Sequence, residues 1–284
     1  GVSGMLFPNL PDKGSTENFT FAVDFGTTNT HIEYKTDTKQ TIRPFDIQQN
    51  DKQISFLCGD LLPHTLVSDI DFIPSLIGRD APFKFPIRTA LSMQKNLEKP
   101  EKILPFVQAN IIIPYEKRKI PQYNRVLTQL KWDSTEDEMG YYIDSLCFVL
   151  RNKVVLNGGN LQQTKIVWFY PLSMAGSRSN IIRDKWQLAY SKYFLGIDVT
   201  NVNDLEENQR KILNSNIIEL SESVAPFLYY KEESNYRDVL NNLVCIDIGG
   251  GTTDIAFITD GNHMPFATSF RFAANSIFGL GNHI

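Results

Sequence analysis

The amino-acid sequence predicts an α/β fold with a central sheet, and three observations carry that prediction. First, the apolar run Leu243-Val244-Cys245-Ile246 leads through Asp247-Ile248 and the turn Gly249-Gly250-Gly251-Thr252-Thr253-Asp254 into a second apolar run, Ile255-Ala256-Phe257-Ile258. Second, Ala22-Val23-Asp24-Phe25-Gly26-Thr27-Thr28-Asn29-Thr30 repeats that grammar near the start. Third, helix-like and strand-like patterns alternate between the two copies, the order expected when helices cover a sheet.

Four apolar residues bounded by turn chemistry, as at 243–246, read as a strand buried on both faces. Three glycines permit positive φ and let a ligand approach the backbone closely. Threonine hydroxyls and bare amides in such a turn suit phosphate oxygens. The element is therefore expected to be a phosphate-gripping hairpin. Setting its Thr-Thr on that of the first copy requires two glycines to be dropped from the second. Related elements far apart in one chain point to internal duplication. Two such hairpins facing each other would clamp a phosphate chain from both sides.

In chain order, residues 1–18 are rich in Gly, Pro and Ser and read as an extension or linker. Phe19 to Val23 alternates as a strand should, and Thr30 to Tyr34 and Thr41 to Ile47 supply two more strands of an antiparallel meander. From Gln48 to about Lys131, frequent prolines break the pattern into pieces, read as an inserted subdomain. Within it Ile54 to Leu57 and Gln108 to Ile113 are expected as strands, and Thr89 to Leu97 as a short helix. Ile143, Leu146, Cys147, Leu150, Val154 and Val155 then recur at helical spacing, giving an amphipathic helix over Glu136 to Leu156. Asp133, Ser134 and Thr135 offer its N-cap and Gly158-Gly159 its stop. Lys165 to Tyr170 reads as a buried strand, Ser177 to Phe194 as a helix closed by Gly196, Ile217 to Leu220 as a strand, and Ser223 to Tyr230 as a helix. The domains expected are a first lobe over 19–238, with its insertion at about 48–131, and the start of a second lobe over 239–284.

Composition narrows the classes. The chain has 284 residues with 42% hydrophobic and 21% charged content, ordinary for a globular protein with a sizeable core. A net charge of −4 argues against a nucleic-acid or anionic-membrane surface. No apolar run approaches the roughly 20 residues needed to span a bilayer, and the first residues lack a secretory pattern. Cys58, Cys147 and Cys245 are widely spaced, and the apolar surroundings of Cys147 and Cys245 lead us to expect buried thiols rather than a disulfide or zinc site. The cytoplasm is the expected compartment. Trp132, Trp168 and Trp186 are expected to pack rather than to bind ligand, and Glu206 to Lys211 to form a solvated helix face.

These residues resemble a known family. Ala22 to Thr30 resembles the first phosphate motif of the actin, heat-shock chaperone and sugar kinase superfamily, and Asp247 to Asp254 its second. Leu220 to Tyr230 looks like the connecting helix of DnaK-type chaperones, Lys165 to Pro171 like their apolar strand ending in proline, and Ile73-Pro74-Ser75-Leu76 like their segment leading into the inserted subdomain. Pro226 stands where that helix usually has alanine. The similarity runs from about Phe19 to Phe272 and is nearer to DnaK-type chaperones than to actin or sugar kinases. It implies an actin-like ATPase (ribonuclease H-like) fold with duplicated mixed-sheet subdomains. The second lobe is expected to be incomplete, because the family's lobe continues well past the glycine hairpin.

The resemblance implies ATP and Mg²⁺ as ligands. Asp24 and Asp247 would hold the hydrated metal, since Mg²⁺ keeps several waters and leans on one or two carboxylates. Gly26, Thr27, Thr28, Asn29, Gly249, Gly250, Gly251, Thr252 and Thr253 would grip the phosphates. Glu222 and Asp254 would orient or deprotonate the attacking water. A cation near the transferred phosphate is also implied, with Lys95 the candidate and Arg88 its competitor. Phosphoryl transfer needs positioning and charge neutralisation, so no covalent nucleophile is expected. The expected activity is slow ATP hydrolysis that switches a chaperone-like protein between conformations, with protein clients or co-chaperone-like regulators as partners. The alternatives are a filament-forming ATPase of the MreB or ParM sort, which would self-associate, and a nucleotide-sensing module with little turnover.

Overall fold

The computed structural model describes residues 17–53, 73–74, 76–94, 105–106, 109–113, 124–174, 176–232, 242–259 and 265–278. Strand β1 (Phe19–Phe25) pairs antiparallel with β2 (Asn29–Thr36), and β2 with the short β3 (Arg43–Pro44). Of the strand expected over Thr41 to Ile47 only Arg43–Pro44 forms, at the sheet edge where a proline's missing N–H is tolerated. On the other side of β1 lie two parallel strands, β8 (Lys165–Tyr170) and β9 (Ile217–Ser221). The sheet order is β3-β2-β1-β8-β9, with β4 (Ile87–Arg88) also pairing β2. Parallel β1, β8 and β9 bring their carboxyl ends to one edge, and that edge carries Asp24 and Glu222.

Alternation decides which face is buried. Phe19, Phe21, Val23 and Phe25 share one face of β1, and the register sets Phe21 beside Ile166 and Val23 beside Trp168. The long helix α1 (Glu136–Leu156) covers this face. Thr135 caps it, accepting from the Glu138 amide at 3.2 Å while the Glu138 carboxylate accepts from the Thr135 amide at 3.0 Å. The expected stripe is buried except Val155, which is half-buried. Tyr142 stacks on Phe25 at 5.5 Å and donates to the Thr30 hydroxyl at 2.7 Å, fixing α1 to the first hairpin.

Helix α2 (Gly176–Tyr190) runs on through a π-helical turn at Ser191–Leu195 and ends at Gly196, whose φ is 73°. Trp186 on α2 stacks on Trp168 at 6.5 Å in the core. α3 (Glu207–Asn216) leads into β9. β8 differs from the buried strand expected: Ile166 and Trp168 are buried, while Val167 and Phe169 face the cleft side and are half-buried. α4 (Ala225–Glu232) carries Pro226 in its first turn, where no intrahelical donor is lost.

Further along, β5 (Leu91–Gln94) pairs with β6 (Ala109–Asn110) and with β7 (Asn124–Leu127) in a small antiparallel sheet. The helix expected over Thr89 to Leu97 is therefore corrected: residues 91–94 are strand, because pairing with the distant β7 overrides a helix-compatible local sequence. Ile54 to Leu57 and Cys58 lie outside the described residues. Cys147 is a buried free thiol, whereas Cys245 is only half-buried. No helix among the described residues is long and apolar enough to cross a membrane.

The second sheet is the meander β10 (Leu243–Ile248), β11 (Thr253–Ile258) and β12 (Phe266–Phe270), followed by α5 (Ala274–Phe278). Here the expectation of a strand buried on both faces fails. Val244, Ile246 and Ile248 are exposed, as are Phe257, Phe266 and Phe270, which the register sets on the same face. The apolar run reports an apolar face, and among the described residues no element covers it.

Candidate functional site

The two hairpins meet at the carboxyl edge of the first sheet. In β1–β2, Asp24 pairs with His31 and Phe25 with Thr30, enclosing Gly26, Thr27, Thr28 and Asn29. In β10–β11, Asp247 pairs with Asp254 and Ile248 with Thr253, enclosing Gly249, Gly250, Gly251 and Thr252. The loops have equal length and equal register. The gapped match expected from the Thr-Thr pairs is therefore corrected: backbone geometry sets Thr27 against Gly250 and Thr28 against Gly251 in the alignment.

Face to face, the tips interlock in the opposite sense. A methyl group on Gly250 would collide with the Thr28 hydroxyl, and one on Gly251 with the Thr27 hydroxyl, 3.0 Å from its methyl and from Trp132 Nε1. Glycine is required at both positions for this approach. The Gly249 and Gly250 carbonyls accept from the Ala274 and Asn275 amides at 3.2 and 3.0 Å. Those two carbonyls are thus held at the start of α5, and the Gly249 amide donates back to the Thr252 carbonyl at 2.9 Å.

Between the hairpins lies a cavity of ≈ 350 Å³. It brings together Asp24, Gly26, Thr27, Thr28, Asn29, Glu222, Asp247, Gly249, Gly250, Thr252 and Asp254, all singled out in the sequence. Gly251 and Thr253 are not part of the lining; Gly251 packs on Thr27, and the Thr253 hydroxyl donates to the Phe272 carbonyl at 2.6 Å. Lys95 lies outside the described residues. Arg88 pairs through its backbone with Asn29 and is not in the lining.

The cation in the cavity is one that sequence reasoning missed. Lys131 is buried, lines the cavity and forms an ion pair with Glu222. It sits in the tight loop before α1. Arg178, from the first turn of α2, donates to the carbonyls of Lys131 at 3.0 Å, Leu130 at 2.8 Å and Ser134 at 3.1 Å. The Trp132 and Asp133 amides both donate to the Gln129 carbonyl at 2.9 Å, and Gln129 has φ of 59°. Two other partners were also missed: Ser223, which donates to Asp254 at 2.8 Å, and Trp132, whose indole N–H donates to the Thr27 hydroxyl at 2.9 Å.

Charge in the cavity is unbalanced. Among the described residues, Asp24, Glu222, Asp247 and Asp254 face one lysine, Lys131. Burial pushes the Asp24 carboxyl up, Lys131 pulls it down, and Asp247 and Asp254 push it up further. Asp247 is also raised, by burial and then by Asp254 directly across the ladder. Burial raises Glu222 to about 7 despite the opposing pull of Lys131. Asp24 is exposed to the cavity and lies close enough to Asp247 and Asp254 to feel their charge. Such a site favours an added cation. Among the described residues no three His, Cys, Asp or Glu side chains converge to ligate a metal directly.

No protein-family model and no curated protein matches the chain. Solved structures are similar at low identity. MreB5 of Spiroplasma citri bound to ADP matches with a TM-score of 0.44 and 13% identity over 94% of this chain and 54% of that one. A Ppx/GppA protein family member from Aquifex aeolicus matches with a TM-score of 0.34 and 9% identity over 90% and 52%. An exopolyphosphatase from Cytophaga hutchinsonii matches with a TM-score of 0.31 and 9% identity over 92% and 53%. The chain spans about half the length of these structures.

Proposed function

We propose that this chain binds Mg-ATP between its two hairpins and belongs to a slowly hydrolysing ATPase of duplicated, actin-like architecture. The supporting observation is the cavity itself, in which two glycine-threonine turns, four carboxylates and one buried lysine converge. The turns would hold phosphate oxygens through backbone amides and threonine hydroxyls. Asp24 and Asp247 fit an outer hold on hydrated Mg²⁺, which when bound supplies neutralising charge to the phosphate oxygens.

Lys131 takes the cationic role sought at Lys95 or Arg88. Its ammonium, paired with Glu222 on the cavity wall, would face an incoming phosphate. Glu222 then accepts a proton from the attacking water; a carboxyl held near 7 is matched to that task. Asp254, fixed by Ser223, orients the same water.

Affinity for Mg-ATP falls on Asp24→Ala and on Asp247→Ala, measured by calorimetry with and without Mg²⁺; unchanged affinity in both variants refutes the metal assignment. Turnover that survives Glu222→Gln removes that residue from the chemistry. The same clamp serves a chaperone-like switch, a filament subunit or a nucleotide sensor. ATP- and concentration-dependent light scattering separates the filament from the other two, since a filament scatters more as both rise.

A further inference from the structure

Trp132 stands beside the phosphate turn, and its hydrogen bond has a direction. An indole N–H can only donate, so across the 2.9 Å contact the Thr27 hydroxyl must accept. The hydroxyl's own hydrogen is then left to donate elsewhere. Among the described residues it has no acceptor, and Thr27 lines the cavity. We propose that Trp132 is a positioning residue for the phosphate grip, fixing the Thr27 hydroxyl as a donor aimed at a phosphate oxygen in the cleft. The inference rests on the phosphate-binding reading above and adds to it the group that sets the polarity of its grip.

One contact falls on the indole ring itself, and two more fix the groups around it. The Arg271 guanidinium lies over its ring at 4.5 Å. The same guanidinium approaches the Asp133 carboxylate at 3.9 Å. Arg178 locks the backbone on either side through the carbonyls of Leu130, Lys131 and Ser134. Gly251 supplies the clearance, because a Cβ there would stand 3.0 Å from Trp132 Nε1. A ring that merely filled space would not need its N–H on the phosphate turn's hydroxyl. A donor chain from indole N–H through hydroxyl to anion polarises each link and strengthens the last.

The test is a double-mutant cycle on the full chain, titrated with MgADP and separately with magnesium pyrophosphate. Trp132→Phe keeps a ring under Arg271 and deletes the N–H. It is expected to weaken both ligands about tenfold in the wild-type and Thr27→Ser backgrounds, and less than about twofold in Thr27→Val, where no hydroxyl remains to orient. Equal losses in all three backgrounds, or no loss, overturn the proposal. Wild-type binding of pyrophosphate but not MgADP, with this pattern of losses across the variants, sinks the nucleotide reading and supports the role of Trp132. Binding of neither ligand sinks both. A second readout needs no change at Trp132: its Nε1–H resonance in ¹⁵N-labelled wild-type protein shifts when either ligand binds and stays put in Thr27→Val. A saturated wild-type protein with an unmoved resonance overturns the proposal as well.

Discussion

The two hairpins share loop length, register and a carboxylate at the end of the first strand, yet their tips are opposites. The first presents Thr27 and Thr28; the second presents Gly250 and Gly251 at the matching positions. One turn supplies side chains, and the other supplies the room into which they fit. Their supports differ too. The first hairpin grows from a sheet whose inner face is buried under α1, whereas the second grows from a meander whose apolar face no described residue covers. A phosphate grip thus depends on local turn geometry, and a strand's fold stability depends on what covers it. The two requirements are separable within one molecule.

Stability measurements should break the symmetry most visibly. Phe21→Ala opens a cavity in the first sheet's core and is expected to cost about 3–5 kcal/mol in denaturant unfolding. A cost under about 1 kcal/mol would mean that this core is not the one that holds the fold.

Next in size is the interlock. Gly250→Ala places a methyl against Thr28 and should cost about 1–3 kcal/mol in stability. Thr28→Gly in the same chain should restore most of it. Failure of the second change to rescue the first would show that the tips do not meet as described.

The walls also differ in charge, and pH exposes it. Glu222 on the first wall, raised to about 7 from 4.5, binds more protons folded than unfolded between those values. Its contribution to stability is therefore present below about 4.5 and is lost as pH rises toward 7, by up to about 1.4 kcal/mol per unit. Thermal midpoints of wild type and Glu222→Gln, compared from pH 5 to 7, should diverge by this trend. Turnover should rise over the same window as the carboxylate forms. Parallel midpoint profiles would remove the assignment.

The smallest effect belongs to the second sheet. Ile246 is 61% exposed, and Ile246→Thr should change stability by no more than about 0.5 kcal/mol. A loss as large as that at Phe21 would show that this face is covered in solution.

The sequence carried the hairpins and the order of helices and strands because those signals are local: turn glycines, two-residue alternation and a helical stripe. The apolar run at 243–246 could say only that a face is apolar, since its covering is a property of other elements. β5 was misread because its partner β7 lies far along the chain. Lys131 escaped for the same reason. It is 91 positions from Glu222, and Trp132 is 105 from Thr27. Nothing in the pattern around Leu130 to Asp133 marks a lysine that turns inward. The resemblance anchored at Ile73-Pro74-Ser75 directed attention to Lys95 instead. Matching Thr-Thr by identity likewise hid a register that hydrogen bonding sets without gaps.

The Arg178 clamp has a consequence for timing. A loop that presented Lys131 and Trp132 from a mobile backbone would have to order itself when a ligand arrived, at roughly 1–2 kcal/mol per residue fixed. With its carbonyls already engaged by one guanidinium, that entropy is surrendered during folding. Ligand capture should then follow a single concentration-dependent phase in stopped flow, without a slow unimolecular step after the encounter. Loosening the clamp with Arg178→Gln should bring that step into view.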